Sequence, residues 1–391
     1  MSTRDARDAL LTVPVPDELE AQRRTWTVVR EAYATRDPAP RRGRRLRLLI
    51  AVAVLAGLVA AALSPPGRSV GGWIRDRVAG EERAEPALFG LPAAGRLLVV
   101  SEQGPWIVRP DGSKRLLGHY EDASFSPNAL FVVVTDGRRI LALEPDGDPR
   151  WSVTRPTPVA DARWAPSPGF RVAYREGDTL RVVAGDGTGD RPLAQDVAPV
   201  APAWLPVEGR TALAYAGSDG LVRVVEADSG EQLWSADPGL PPERLVWSSD
   251  GGLLLVVTSG ARHPLYRADG RPARTLQTPP GRDVLDADFA PGARDVAYSA
   301  FDPAEGRSVV VLGDERLQAV EGRLDDIVFS PNGRWLLTGW PEADQFLFLR
   351  LPGVSRIEAV GDVRREFDPG HIGATSFPRV AEWCCAPRAA G

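Results

Sequence analysis

An aromatic residue followed by a small residue, usually a proline, and a turn recurs along most of this chain. Apolar residues precede each copy, and a run of aliphatic, β-branched or aromatic residues follows it. The aromatic positions, called anchors below, stand 39, 40, 43, 42 and 40 residues apart and are Phe125, Trp164, Trp204, Trp247, Phe289 and Phe329. A repeat of this length with several short strands predicts a β-propeller in which each unit is one four-stranded blade. Because one blade cannot bury both of its faces, we expect the anchors to pack between neighbouring blades.

The two ends of the repeat region complete one another. Residues 95–118 contain three strand-like runs with no anchor before them, whereas residues 379–387 are an anchor strand around Trp383 with no blade after it. We therefore predict an all-β fold, with a seven-bladed β-propeller over residues 93–388 that closes by pairing of its N-terminal and C-terminal strands. Closure of this kind leaves no innermost strand unpaired. The 54 residues between Phe329 and Trp383 predict an inserted loop around residues 364–377.

Turns rich in aspartate and glycine lie between the anchors, for example Pro-Asp-Gly at 110–112 and Gly-Asp-Gly at 185–187. Both residue types suit tight hairpins, because glycine adopts positive φ freely and aspartate bonds the backbone two residues on. Calcium ligation is the alternative interpretation. It is disfavoured because no loop has the dense series of aspartates that calcium coordination needs.

One apolar segment precedes the repeats. Residues 48–63 contain no charged residue, follow five arginines in residues 41–47 and end before Pro65 and Pro66. We predict a single transmembrane helix over residues 48–64. The positive-inside rule then places the N-terminus in the cytoplasm and the propeller outside it, in the cell membrane. A cleaved signal peptide is disfavoured by the 47 residues before the run, and a buried soluble helix by the adjoining arginines.

The cytoplasmic head, residues 1–47, is too short for a core of its own. Residues 17–35 predict an amphipathic helix with one apolar face, made of Leu19, Trp26, Val29 and Tyr33. That face rests on the inner leaflet or docks onto a cytoplasmic protein partner, and a disordered head is the third alternative. A juxtamembrane linker over residues 65–92 joins the membrane helix to the propeller. This layout resembles that of transmembrane signalling proteins, including membrane anti-sigma regulators.

The turn after the anchors carries a family resemblance. Phe329-Ser330-Pro331-Asn332-Gly333 has the aromatic-Ser-Pro-Asn-Gly pattern, and the sequences that begin at Phe125 and Trp247 keep most of it. These residues resemble the TolB-like, WD40-like (PD40-type) propeller repeats of bacterial envelope proteins. Two other units, which end in Trp151 and Trp234, resemble quinoprotein repeats, but two of seven units are too few to imply that cofactor. The resemblance implies a propeller fold and a binding role, and it does not imply a reaction.

Catalytic motifs are not recognisable in the sequence. It contains no nucleophile elbow, zinc-protease motif or P-loop, and no pair of carboxylates stands out from the hairpin turns. Of the three histidines, His119 and His263 are interpreted as turn residues and His371 as an exposed loop residue. We therefore predict no catalytic residue, no metal site and no cofactor.

The two cysteines, Cys384 and Cys385, are adjacent. Outside the cytoplasm they would tend to oxidise, which makes a vicinal disulfide one prediction. Two ordinary thiols, one facing each side of a strand, are the alternative.

Charge and layout favour one class of function. The formal net charge is −5, although residues 1–47 contain eleven arginines against seven acidic residues, so the repeat region is acidic. Nucleic-acid binding is therefore not expected. We predict a single-pass membrane protein whose extracytoplasmic propeller is a ligand- or protein-binding sensor or interaction module, signalling to a cytoplasmic partner such as a sigma factor. An envelope assembly scaffold and a propeller enzyme, either quinoprotein-like or a hydrolase, are the alternatives.

Overall fold

The computed structural model describes residues 85–86, 90–166, 170–370 and 375–385, all within the unit Arg83–Gly391. These residues form seven small antiparallel sheets, which we number as blades 1–7. The prediction of an all-β, seven-bladed propeller is therefore confirmed.

Blade 1 contains the first strands of the described chain. They are Glu85–Pro86 (β1), Arg96–Ser101 (β2), Gly104–Val108 (β3) and Ser113–Leu116 (β4). The short strand β1 falls within the predicted linker, residues 65–92, yet it pairs with β4 at the outer edge of the sheet. Strand pairing with blade 1 therefore begins before residue 93.

Blades 2–7 follow in chain order, and in each the four strands run outward from the axis as an antiparallel meander. Blade 2 contains Asp122–Phe125 (β5), Val132–Asp136 (β6), Arg139–Leu143 (β7) and Pro149–Thr154 (β8), and blade 3 contains Val159–Trp164 (β9), Arg171–Glu176 (β10), Thr179–Ala184 (β11) and Arg191–Ala194 (β12). Blade 4 contains Ala203–Trp204 (β13), Ala212–Ala216 (β14), Val222–Glu226 (β15) and Gln232–Ala236 (β16), and blade 5 contains Pro242–Trp247 (β17), Leu253–Thr258 (β18), Arg262–Arg267 (β19) and Pro272–Gln277 (β20). Blade 6 contains Asp283–Phe289 (β21), Val296–Asp302 (β22), Arg307–Leu312 (β23) and Glu315–Glu321 (β24), and blade 7 contains Asp325–Phe329 (β25), Trp335–Trp340 (β26), Gln345–Arg350 (β27) and Ile357–Val360 (β28).

The ring closes through the last strand, Arg379–Cys384 (β29), which lies innermost in blade 1. It pairs antiparallel with β2, so that Trp383 is opposite Leu97 and Glu382 is opposite Leu98. The innermost strands contact one another around the axis in the order β29, β5, β9, β13, β17, β21, β25 and back to β29. The two ends of the repeat region thus complete one blade, as the sequence predicts.

Seven apolar clusters form the core, one at each junction between neighbouring blades. Each cluster contains one anchor from the later blade of its pair, and every anchor is at most 8% exposed. Each anchor is also paired with a valine or a leucine on the second strand of its own blade. Because the core lies between blades and not within them, an isolated blade would expose apolar faces, which is why the whole ring is the folding unit.

The serine after three of the anchors closes the turn into the next strand. The Oγ atoms of Ser126, Ser248 and Ser330 accept the backbone N–H of the residue five positions later, at 2.8, 2.9 and 3.0 Å. Where Ala165 or Ala290 takes this place, the turn keeps its backbone bond but lacks the hydroxyl. Units that depart from the aromatic-Ser-Pro pattern therefore lose one hydrogen bond and keep the fold.

The aspartates of the outer hairpins accept hydrogen bonds within their own turns. Asp111 Oδ1 accepts the backbone N–H of Ser113 at 3.0 Å and its hydroxyl at 2.7 Å, and Asp186 does the same with Thr188. These bonds lower the pKa of both carboxyl groups. These positions are hairpin turns, as the sequence predicts.

Two tryptophans on outermost strands also join neighbouring blades. Trp151 of β8 donates from Nε1 to Gly185 O in blade 3 at 2.7 Å, and its ring lies against Gly187. Trp234 of β16 makes the equivalent bond to Ala268 O in blade 5 at 3.0 Å. These are the two units that resemble quinoprotein repeats, and in this chain their tryptophans are contacts between blades.

The predicted insertion begins with a short helix, Val363–Phe367 (α1), at the junction of blades 7 and 1. Lys114, the one lysine of the sequence, is buried beneath it and contacts Glu366 Oε1 at 2.9 Å. The Lys114 Nζ also lies 5.2 Å from the ring centre of Trp106 and 5.6 Å from that of Phe367. This buried ion pair and the two rings fix α1 across the junction where the ring closes.

The predicted head helix at 17–35, with Leu19, Trp26, Val29 and Tyr33, and the membrane helix at 48–64 lie outside the described residues. Across the ranges that are described, no helix has both the length and the apolar character needed to cross a membrane.

Candidate functional site in the central cavity

A cavity of about 1090 Å³ lies along the axis of the ring. The innermost strand of every blade lines it, and all seven anchors contribute to its wall. Because side chains alternate along a strand, the residue before a buried anchor points the other way. In six blades that residue lines the cavity, namely Ser124, Arg163, Ala203, Val246, Asp288 and Glu382.

The wall of the cavity is uneven in charge. Blade 4 contributes only apolar side chains and prolines, whereas the other blades contribute seven carboxylates and three guanidinium groups. The charged lining residues are Asp161, Glu243, Asp286, Asp288, Asp325, Asp326, Glu382, Arg163, Arg244 and Arg379. Negative charge therefore predominates around the axis.

Each of the three arginines contacts a carboxylate from a neighbouring blade. Arg163 Nη1 and Arg379 Nη2 both contact Asp122, each at 2.7 Å, from opposite sides. Arg244 Nη1 contacts Asp286 Oδ1 at 2.6 Å. The positive charge of the wall is thus already engaged, and the unbalanced charge belongs to the remaining carboxylates.

Irregular strand pairing brings some of these carboxylates to the axis. β9 and β25 each carry one extra residue relative to their partner strand, with Asp161 and Asp326 at φ of +55° and +61°. A bulge rotates the side chains on one side of it. Consecutive residues such as Asp325 and Asp326 can therefore both line the cavity, which strict alternation would forbid.

Three acidic side chains accept a backbone N–H from the innermost strand of the next blade. Asp286 Oδ2 accepts from Ile327 at 2.7 Å, and Asp326 Oδ2 accepts from Val380 at 2.7 Å. The third, Glu382 Oε2, accepts from Phe125 at 3.1 Å. These bonds connect blades 6, 7, 1 and 2 in succession around the axis.

Burial raises the pKa of two cavity carboxyls to about 7. For Asp326 burial is the main cause, and the nearby Asp286 carboxylate adds to it. For Asp288 burial is again the main cause, and it outweighs the opposing effect of Arg244. Both groups therefore change protonation near neutral pH, which is a common property of functional sites.

The carboxyls nearest the ring closure differ from each other. Burial raises the pKa of Glu382, despite hydrogen bonds from Ser124 and Phe125. At Asp122 burial acts in the same direction, but the charges of Arg163 and Arg379 outweigh it and hold the pKa below its ordinary value. The two arginines thus favour the ionised form of Asp122, whereas burial disfavours ionisation of Glu382.

No protein-family model and no curated protein sequence matches this chain. The likeness to TolB-like repeats therefore rests on the turn residues after the anchors, and the assignment of the cavity rests on the geometry of its own side chains.

The sequence predicts where the anchors lie, but it does not single out the cavity carboxylates. The predicted anchors Phe125, Trp164, Trp204, Trp247, Phe289, Phe329 and Trp383 all lie at or next to the end of an innermost strand. The sequence contains many aspartates in hairpin turns, and their pattern does not distinguish them from the cavity carboxylates. One signal could have separated them: in six units an acidic residue stands one to four positions before the anchor, as in Asp122, Asp161, Glu243, Asp286, Asp326 and Glu382.

Cys384 and Cys385 lie at the end of β29, and Cys384 lines the cavity. The two residues are joined as a disulfide in the structure. Both pack against the apolar cluster between blades 1 and 2. Their oxidation state in the cell stays a prediction.

The histidines are placed differently from one another. His263 lies within β19 and is fully buried, where Nδ1 accepts the backbone N–H of Thr258 at 3.2 Å, so its interpretation as a turn residue is wrong. The following Pro264 suggested a turn, but this proline lies within the strand and faces β20. His119 is exposed in a bend, and His371 lies outside the described residues. Within the described ranges, no group of three His, Cys, Asp or Glu side chains is arranged to hold a metal ion.

Proposed function

We propose that this protein is a membrane-anchored, extracytoplasmic binding module that takes its ligand in the central cavity of the propeller. The observation that carries the proposal is a cavity of about 1090 Å³ whose wall brings together an apolar side and several carboxyls, two of them with a pKa near 7. Ligand sites in proteins commonly combine an apolar wall with a few convergent polar groups. A binding role, and not catalysis, is proposed because each arginine of the wall already contacts a carboxylate of a neighbouring blade.

The residues of the turns after the anchors support the extracytoplasmic part of the proposal through their family resemblance. Ser126, Ser248 and Ser330 occupy the serine position of the TolB-like, PD40-type pattern, and each closes its turn with a hydrogen bond. That resemblance implies a bacterial envelope protein. The arginines before residues 48–64 support an orientation with the propeller outside the membrane.

Blocking the cavity tests the binding role. Ala203→Trp places a large side chain at the apolar wall of blade 4, whereas Ala304→Trp adds the same side chain at an exposed turn. Full-length protein in detergent would be incubated with a small-molecule extract of the cell envelope and examined by native mass spectrometry. We expect a bound mass on the wild type and on Ala304→Trp, and none on Ala203→Trp. A bound mass that is retained by Ala203→Trp, or is absent from all three proteins, would contradict the proposal.

Protease treatment of spheroplasts tests the orientation. The full-length protein would carry one epitope at each terminus. We expect external protease to remove the C-terminal epitope and leave the N-terminal epitope intact until the membrane is permeabilised. The reverse pattern would rule out an extracytoplasmic propeller.

The predicted head helix is proposed to contact a cytoplasmic protein through Leu19, Trp26, Val29 and Tyr33. A photo-crosslinking amino acid at position 26 of the full-length protein should give one discrete protein adduct in cells. The same amino acid at position 24, on the opposite face, should not. Crosslinks to lipid alone at position 26 would leave the head as a membrane anchor and disprove a signalling role through this face.

A further inference from the structure

The ring closes where β29 pairs with β2, two strands that no turn connects. This junction is called the seam below. In each of blades 2–7 a short turn joins the innermost strand to the second strand, whereas in blade 1 the innermost strand, β29, comes from the other end of the propeller. β29 is held to β2 by strand pairing and to its neighbours β25 and β5 by side-chain contacts. β29 can therefore separate from β2 without a change in any turn, unlike the innermost strands of blades 2–7.

Two carboxyls whose pKa is raised by burial bond β29 to the strands on either side of it. On the blade 7 side, Asp326 Oδ2 accepts the backbone N–H of Val380, which is the second residue of β29. On the blade 2 side, Glu382 of β29 accepts the backbone N–H of Phe125 in β5. The two hydrogen bonds thus tie β29 to both of its neighbours through carboxyl groups.

Charges from every adjoining strand act on these two groups. Asp326 is near Asp286 of β21 and Asp325 of its own strand, and Arg379 of β29 opposes them. Glu382 is near Asp122 of β5 and Arg163 of β9, and these two form an ion pair with each other. Negative charge therefore predominates around Asp326, while Glu382 faces a nearly balanced pair.

We propose that the seam is a proton-controlled closure, in which β29 is held firmly while Asp326 is protonated and opens more readily as Asp326 and Glu382 ionise. An ionised Asp326 accepts the Val380 bond more strongly, but it also places an unpaired charge beside Asp286 and Asp325. Displacement of β29 lets water reach that charge, so ionisation stabilises the open state more than the closed state.

The sign of the effect follows from the protonation equilibria. Burial raises the pKa of Asp326 to about 7 in the closed ring and also raises that of Glu382. In an open, solvated state both would return towards their ordinary values. The closed ring binds more protons than the open one, so opening becomes more favourable as the pH rises towards and above 7.

Hydrogen exchange of the full-length protein in detergent tests this proposal. Protection of residues 379–384 would be compared at about pH 6 and about pH 8 after correction for intrinsic exchange rates, with β17 on the far side of the ring as internal reference. We expect β29 to lose protection relative to β17 by up to about tenfold for each pH unit above 7. Equal changes in the two strands would overturn the proposal.

Variants of the cavity carboxyls give the matched control. Asp326→Asn should remove most of the pH dependence at β29, while Asp161→Asn, which alters a cavity carboxyl paired with Arg175 in blade 3, should leave it unchanged. If Asp326→Asn retained the full dependence of the wild type, Asp326 would not be the controlling group and the proposal would fail. Should Asp326→Asn not fold, Glu382→Gln takes its place, with a reduced pH dependence expected and an unchanged one overturning the proposal.

Discussion

At the scale of single residues, burial decides what a polar side chain does in this propeller. His263 and His119 have the same chemistry, but one is fully enclosed in β19 and the other lies in an exposed bend. Burial lowers the pKa of His263, since the charged imidazolium is disfavoured away from water. The folded protein therefore resists protonation at this position.

His263 should contribute stability above pH 6.5 that is lost on acidification. A group whose folded pKa lies below its unfolded value favours folding when neutral, so its contribution falls as the pH drops below the ordinary value of 6.5. We expect His263→Asn to unfold at lower temperature than the wild type at neutral pH, with the gap narrowing towards pH ~5. Thermal unfolding at both pH values checks this, and His119→Asn is the control that should match the wild type throughout. A gap that stays constant or widens on acidification would count against it.

At the scale of structural elements, contacts between blades depend on close approach as well as on burial. The ring of Trp151 lies so near Gly187 that an added Cβ would stand 2.8 Å from it. Gly220 has nearly the same φ, +83° against +85°, but it faces open space. The two glycines thus separate the cost of backbone conformation from that of crowding.

Gly187→Ala should destabilise the propeller more than Gly220→Ala. Both changes place alanine at positive φ, which costs about 1–2 kcal/mol. Gly187→Ala also forces Trp151 away from its bond to Gly185 O, for a further loss of about 1 kcal/mol or more. Denaturant unfolding followed by tryptophan fluorescence measures the difference. Equal losses of stability would show that Trp151 does not join blades 2 and 3 as described.

At this scale the sequence predicts the repeated elements, but it does not predict the short strand β1 or the bulges. The anchors, the Asp-Gly hairpins and the pairing of Trp383 near Leu98 follow from the sequence, because each reflects a local residue preference or the repeat itself. The strand β1 was not predicted, since Glu85–Pro86 has no strand pattern and pairs only because β4 offers an edge. The bulges at Asp161 and Asp326 also escaped prediction, because a single extra residue leaves no clear sequence signal.

At the scale of the whole molecule, stability should depend on completing the ring. Deletion of residues 379–391 removes β29, leaving β2 with an unpaired edge and blade 7 with an uncovered apolar face. We expect this truncated protein to form oligomers or aggregates in detergent, as measured by size-exclusion chromatography with light scattering. Deletion of residues 386–391 alone leaves β29 in place and should give the wild-type elution. A monodisperse product with unchanged melting temperature after the longer deletion would refute closure through β29.

The charge of the cavity should also affect global stability. The pKa of Asp288 is raised to about 7, mainly by burial, so ionisation of this carboxyl opposes folding. The folded protein should therefore lose stability as the pH rises from about 4 to about 7. Asp288→Asn should therefore be more stable than the wild type at both pH values, and its advantage should grow by about 1–2 kcal/mol between pH 5 and pH 8, allowing for partial contact with water. Denaturant unfolding at the two pH values measures this, with Asp283→Asn at the exposed start of the same strand as control. A variant less stable than the wild type at pH 8 would show that the Asp288 charge favours the fold.

The amino-acid sequence by itself determined the all-β class, the number of blades and the way the ring closes. These features follow from a repeated unit of nearly constant length and from its incomplete copies at the two ends, both of which are present before any folding occurs. Only the tertiary structure decided which of the many acidic residues meet at the axis and which of their carboxyl groups bond β29 to its neighbouring strands. Asp286, Asp326 and Glu382 are far apart in the chain, and they become neighbours only because the blades are arranged in a circle and bulges turn their side chains inward.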